Sequence, residues 1–155
     1  MNRASFSRTG SCPRERGAVA VEFALVSSLF LMALLFGIVE LGRAFFYINA
    51  SAEAARLGAR IAVVCDKGAT DAFIKAQMAQ RVSILNAGNI SIAHSPANCS
   101  ANANPVCQSV TVSISGATFD TVIPFVPLTW TLPSFATTLP RESLDSAGGA
   151  NPVCH

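Results

Sequence analysis

A chain of 155 residues has room for one modest folded domain. It is 51% hydrophobic and only 13% charged, whereas a soluble domain carries about 25% charged residues. The formal charge of +2 is unevenly divided: residues 1–17 carry a net +3 and the remainder −1, and no Lys/Arg cluster interleaved with aromatics follows, which argues against a nucleic-acid partner.

The basic N-terminal piece contains Arg3, Arg8, Arg14 and Arg16, with Glu15 as its acid. Basic residues before an apolar run place that end on the cytoplasmic side of a membrane. The run itself, Phe23 to Val39, has seventeen residues and no charge. Extended back to Ala18 and on through Ile48, it becomes a longer apolar helix whose charged members are Glu22, Glu40 and Arg43. About twenty residues at 1.5 Å each cross a bilayer. The segment is rich in Leu, Ala, Phe and Met and lacks proline, so helix propensity agrees.

Three readings compete for this segment. A cleaved secretory signal needs a small-residue cleavage site close behind its apolar core. INASAEA at 48–54 offers one, but only beyond Glu40 and Arg43. An uncleaved signal anchor is the second reading. The third is a prepilin-type signal, cut on the cytoplasmic side before the apolar helix, which then remains as the anchor. It gives a purpose to Arg14–Gly17, read as a polar, flexible and accessible stretch, and to the glycine at the cut. Cleavage after Gly17 would leave a new amine on Ala18 and make Glu22 the fifth residue of the product.

A carboxylate deep in a membrane costs about 2.5–3.5 kcal/mol. Near an interface, or paired, it is tolerated. One partner for Glu22 is the α-amine of a neighbouring subunit, cationic at neutral pH with an ordinary pKa of about 7.7–8.0. Such a pair would set the register between packed helices. The plainer alternative is a Glu22 that reaches the headgroups.

RGAVAVEFALV followed by an apolar run resembles the N-terminus of TadE-like proteins, minor pseudopilins of tight-adherence (Flp-type) pilus systems. The family pattern is glycine, four small or apolar residues, glutamate and an aromatic, here Gly17, Ala18–Val21, Glu22 and Phe23. The continuation ELGRAFFYINASAEAARLGARIAVV is also similar to the family, so the resemblance covers about residues 14–64. It implies cleavage between Gly17 and Ala18 by a prepilin peptidase, and packing of Glu22 and Phe23 against other pilin or pseudopilin subunits. It further implies inner-membrane secretion components as partners, membrane lipid around the helix, a cytoplasmic N-terminus, and a C-terminal domain that is periplasmic or extracellular.

Beyond the span, Ala52, Ala55, Ala59 and Ala62 recur at helical spacing, and Glu53 precedes Arg56 by three residues, a short-range ion pair. The helix is expected to run from Ala18 to about residue 63, with its outer alanine face buried on the domain or on a neighbour. TDAFIKAQMAQRVSIL reads as a second helix capped by Thr70 or Asp71. NISIAHS is a short strand, with His94 beside Ser95-Pro96 in a loop, and SVTVSISG alternates cleanly as a strand. ATFDTVIPFVPLTWTL adds another strand that Pro124, Pro127 and Pro133 confine to an edge. IPFVPLTW loosely resembles a PF-x-PL segment of the same family, read either as an apolar patch near the membrane or another subunit, or as core filling by Phe125 and Trp130. The tail from Arg141 is read as irregular.

Cys12 precedes the span, and Cys65, Cys99, Cys107 and Cys154 follow it. Four cysteines in an exported domain permit two disulfides in three connectivities. Chain proximity favours Cys99 with Cys107, leaving Cys65 with Cys154; free thiols in a reducing compartment are the alternative. No C-x-x-C occurs and the two histidines lie outside zinc spacing. No G-x-S-x-G, H-E-x-x-H or phosphate-binding loop is present, so no enzyme, metal or cofactor is expected. The expected fold class is α+β: a leader (1–17), a long single-pass helix (18–63, membrane part about 23–43) and a small disulfide-bonded domain (64–155) of one helix and a few antiparallel strands. The expected role is non-enzymatic, in pilus assembly or its secretion apparatus at the bacterial inner membrane. The alternative is a membrane-anchored extracytoplasmic binding module unrelated to pili.

Overall fold

The computed structural model describes residues 14–65, 71–101, 104–123, 127–144 and 151–154. The leader up to residue 13 with Cys12, the side chains of Arg14–Arg16, the Thr70 cap, Pro124 and Phe125, and Asp66 and Asp145 lie outside the described residues.

Helix α1 spans Arg14–Ala62, 49 residues. It begins before Ala18, in the stretch read from sequence as flexible. Arginine and glutamate are good helix formers, and a proline, Pro13, precedes them in the chain, where a helix start tolerates one. The chain divides into two units at Val39/Glu40. In the first, the apolar side chains from Val19 to Val39 are exposed, Phe23 at 73% and Phe30 at 71%. An apolar surface this extensive is unsuited to water, and α1 is long and apolar enough to cross a membrane.

The second unit holds the core. On α1, the face made by Ser51, Ala54, Ala55, Gly58, Ala59 and Ala62 is buried. Small residues let another element approach closely. Helix α2 (Asp71–Arg81) does so, burying Ile74 and Met78, and a Cβ on Gly58 would overlap the Met78 side chain. Helix α2 ends at Arg81, earlier than the pattern through Leu85 predicts. Val82 and Leu85 are still buried, in a turn closed by the Leu85 amide on the Val82 carbonyl at 3.0 Å. A second turn follows, in which the Asn86 carboxamide oxygen accepts from the amides of Gly88 and Asn89 at 2.9 and 3.2 Å, the local bonding by which asparagine favours turns.

Strands β1 (Ile90–Ser95), β2 (Ser109–Ile114) and β5 (Phe135–Pro140) form an antiparallel sheet with β2 central. Val110, Val112 and Ile114 are fully buried, as their alternation with Ser and Thr requires. His94 belongs to β1, opposite Val110, and not to a loop. Strand β5 is unannounced in the sequence reading. The region read as one further strand is instead a hairpin of β3 (Thr118–Asp120) and β4 (Thr129–Thr131).

Two disulfides join Cys65 to Cys154 and Cys99 to Cys107. The segment after β5 is not loose at its start: the amides of Glu142 and Leu144 donate to the Val63 carbonyl, and Ser143 Oγ donates to the Val64 carbonyl at 2.9 Å. The end of α1 is thereby tied to the C-terminal segment by hydrogen bonds and by the Cys65–Cys154 bridge.

Candidate functional site

The N-terminal motif lies wholly on α1. Gly17, Ala18, Glu22 and Phe23 are all exposed, and a Cβ on Gly17 would meet nothing within 4 Å. Ala18 and Glu22 are four residues apart, one turn, and share a face. Phe23 is turned about 100° from Glu22. Among the described residues, packing therefore does not demand a glycine at 17.

A second cluster surrounds the first residues after the apolar run. Glu40 and Arg43 form an ion pair at 3.0 Å. The Glu40 carboxylate also accepts the backbone N–H of Val122, and Arg43 Nη2 donates to the Asp120 carbonyl at 3.4 Å. The Arg43 guanidinium sits 5.9 Å from the Tyr47 ring centre, and Tyr47 in turn lies 5.1 Å from Phe119. One helical face at 40–47 thus grips the β3–β4 hairpin by two backbone bonds and an aromatic contact. In the sequence, Glu40 and Arg43 stand out only as charges near the end of a span.

Farther along α1, a groove of about 410 Å³ is lined by Phe46, Ala50 and Leu57 with Arg56, Arg60 and Arg81, Glu53 supplying a carboxylate. Glu53 pairs with Arg56. Both are largely exposed, so the pair adds little to stability. Among the described residues no three His, Cys, Asp or Glu side chains converge as a metal site would require.

These features define a class: a membrane-associated protein with one long apolar helix and a small disulfide-bonded α+β domain. A family model described as TadE-like protein matches residues 17–60. The match starts at Gly17 and ends inside the buried alanine face of α1, so it is to this helix that the chain is similar. No curated protein and no solved structure matches the chain.

Proposed function

We propose that the protein is a non-enzymatic, pseudopilin-like subunit that takes part in assembling a tight-adherence (Flp-type) pilus or its secretion apparatus. The observation that carries this reading is the placing of Gly17, Ala18, Glu22 and Phe23 at the head of an exposed apolar helix, where the TadE-like match begins. A prepilin peptidase cuts between Gly17 and Ala18. The product stays in the bacterial inner membrane by α1, with its domain on the periplasmic or extracellular side. Glu22 pairs with the new α-amine of a neighbouring subunit, and Phe23 packs beside it.

Lipid cannot satisfy a carboxylate, so a partner amine would favour association of helices over their dispersal. The test is Glu22→Ala in cells carrying the assembly apparatus. Membrane insertion should persist, and cross-linking to neighbouring pilin-type subunits should fall severalfold. Unchanged cross-linking would contradict the pairing and favour a membrane-anchored binding module.

A further inference from the structure

The β3–β4 hairpin takes no part in the function proposed above, although its IPFVPLTW stretch offers, by sequence, an apolar patch for the membrane or another subunit. Between Gly116 and Pro140 the chain carries one charged residue, Asp120. That carboxylate is engaged by Thr129 Oγ1 at 2.7 Å across the ribbon. Among the described residues beyond Phe46, five large apolar side chains are well exposed, and three of them, Val122 (67%), Leu128 (48%) and Trp130 (51%), belong to this hairpin and its loop. Among the described residues of the domain, nothing else gathers exposed apolar surface in this way.

The position of the hairpin identifies what covers it. Glu40 holds the Val122 amide, and Glu40 is the residue that follows Val39, the last of the uncharged run. The hairpin is thus bonded to the first residue that follows the uncharged run in the chain. From Ala18 to Val39, α1 rises about 33 Å at 1.5 Å per residue, close to the roughly 30 Å of a hydrocarbon core. Glu40 and Arg43 then fall at the level of the headgroups.

The chemistry matches that level. Tryptophan and tyrosine concentrate at membrane–water interfaces, where one part of the ring is apolar and another hydrogen-bonds to water or headgroups. Trp130 is the cross-strand partner of Phe119, and directly opposed residues share a face. Since Phe119 packs on Tyr47 of α1, Trp130 lies on the helix-facing side of the ribbon and is half exposed there. Phe45 (59%) and Phe46 (63%) are exposed at the same turns of α1.

We propose that the β3–β4 hairpin is a second membrane contact, seating Trp130, Leu128 and Val122 in the headgroup region of the leaflet nearest the domain. It rests on membrane anchorage through α1 and is independent of pilus assembly. Two attachments, the helix and the hairpin, would limit rotation of the domain about the helix axis and so fix which face it presents to other subunits.

Trp130 is the protein's one tryptophan, so its emission reports on this hairpin alone. The full chain is reconstituted at low density in phosphatidylcholine vesicles, and flotation establishes that it is anchored. Vesicles containing lipid brominated near the headgroup end of its chains should quench more than about half of the Trp130 emission, as expected of a ring at the interface. Acrylamide in the water should quench it severalfold less than a free tryptophan amide. In Val122→Asp/Leu128→Asp the order should reverse, with the two disulfides intact. Ready quenching of the wild type by acrylamide and not by brominated lipid would overturn the proposal. Shielding from both quenchers would also overturn it, since a protein surface would then cover the hairpin. Failure to float would remove the anchorage itself.

Discussion

The Glu40 carboxylate accepts the backbone N–H of Val122, a residue 82 positions further along the chain. The same carboxylate holds Arg43 at 3.0 and 3.2 Å. One acidic side chain therefore serves both Arg43 on its own helix and the backbone of the hairpin loop. Hydrogen bonds to charged groups contribute about 1.5–3 kcal/mol. Glu40→Ala should release the hairpin without unfolding the domain. Hydrogen exchange at the Val122 amide should accelerate about tenfold to a hundredfold on that scale, while amides of β2 stay protected.

The two disulfides should differ in worth. Cys65–Cys154 closes a separation of 89 residues and Cys99–Cys107 one of 8. In the chain-entropy account, the first constrains the unfolded state by about 4.6 kcal/mol and the second by about 2.5 kcal/mol. Denaturant unfolding of the full chain in detergent should show the larger loss for Cys65→Ala/Cys154→Ala. Equal losses from the two double variants would show that loop length does not govern their contributions.

Gly58 sets the approach of the two helices. A Cβ there meets the Sδ and Cγ of Met78, which is wholly buried and has little room to yield. Gly58→Val should destabilise the domain by about 1–3 kcal/mol through overpacking. Combined with Met78→Ala, it should cost less than the sum of the single changes, because each substitution relieves the other's defect. Strict additivity in a denaturation series would show that these side chains do not limit the approach.

Ser51 presents the opposite case. It is 0% exposed within the α1 packing face, and its Oγ has no hydrogen-bond partner among the described residues. A buried unpaired hydroxyl costs about 1–3 kcal/mol to desolvate. Ser51→Ala should therefore leave stability unchanged or raise it, by up to about 1 kcal/mol. A clear loss in the midpoint of unfolding would reveal a bond made by this hydroxyl.

Much of the architecture was visible in local pattern. The long helix follows from an uninterrupted apolar run joined to an alanine-rich one, and β2 from the strict alternation in SVTVSI. Strand β5 was not visible. FATTLP has no apolar alternation in sequence, its residues are half-buried at best, and it acquires its place by pairing with β2. The hairpin was read as one strand because its turn signal is spread through a proline-containing loop. The grip of Glu40 on Val122 leaves no trace in sequence at all, since a backbone amide can belong to almost any residue. The N-terminal motif was legible for a different reason: Gly17 and Glu22 stand out as residues the apolar helix does not need.

The proposed function rests on prepilin processing and on retention in the membrane through α1. Intact-mass measurement on protein extracted from membranes of cells with an active prepilin peptidase decides it. The expected product begins at Ala18 and lacks residues 1–17, with the full-length chain accumulating when Gly17 is replaced by a bulky residue. A product that begins at Met1 in the unaltered protein, or near Ser51, would contradict it.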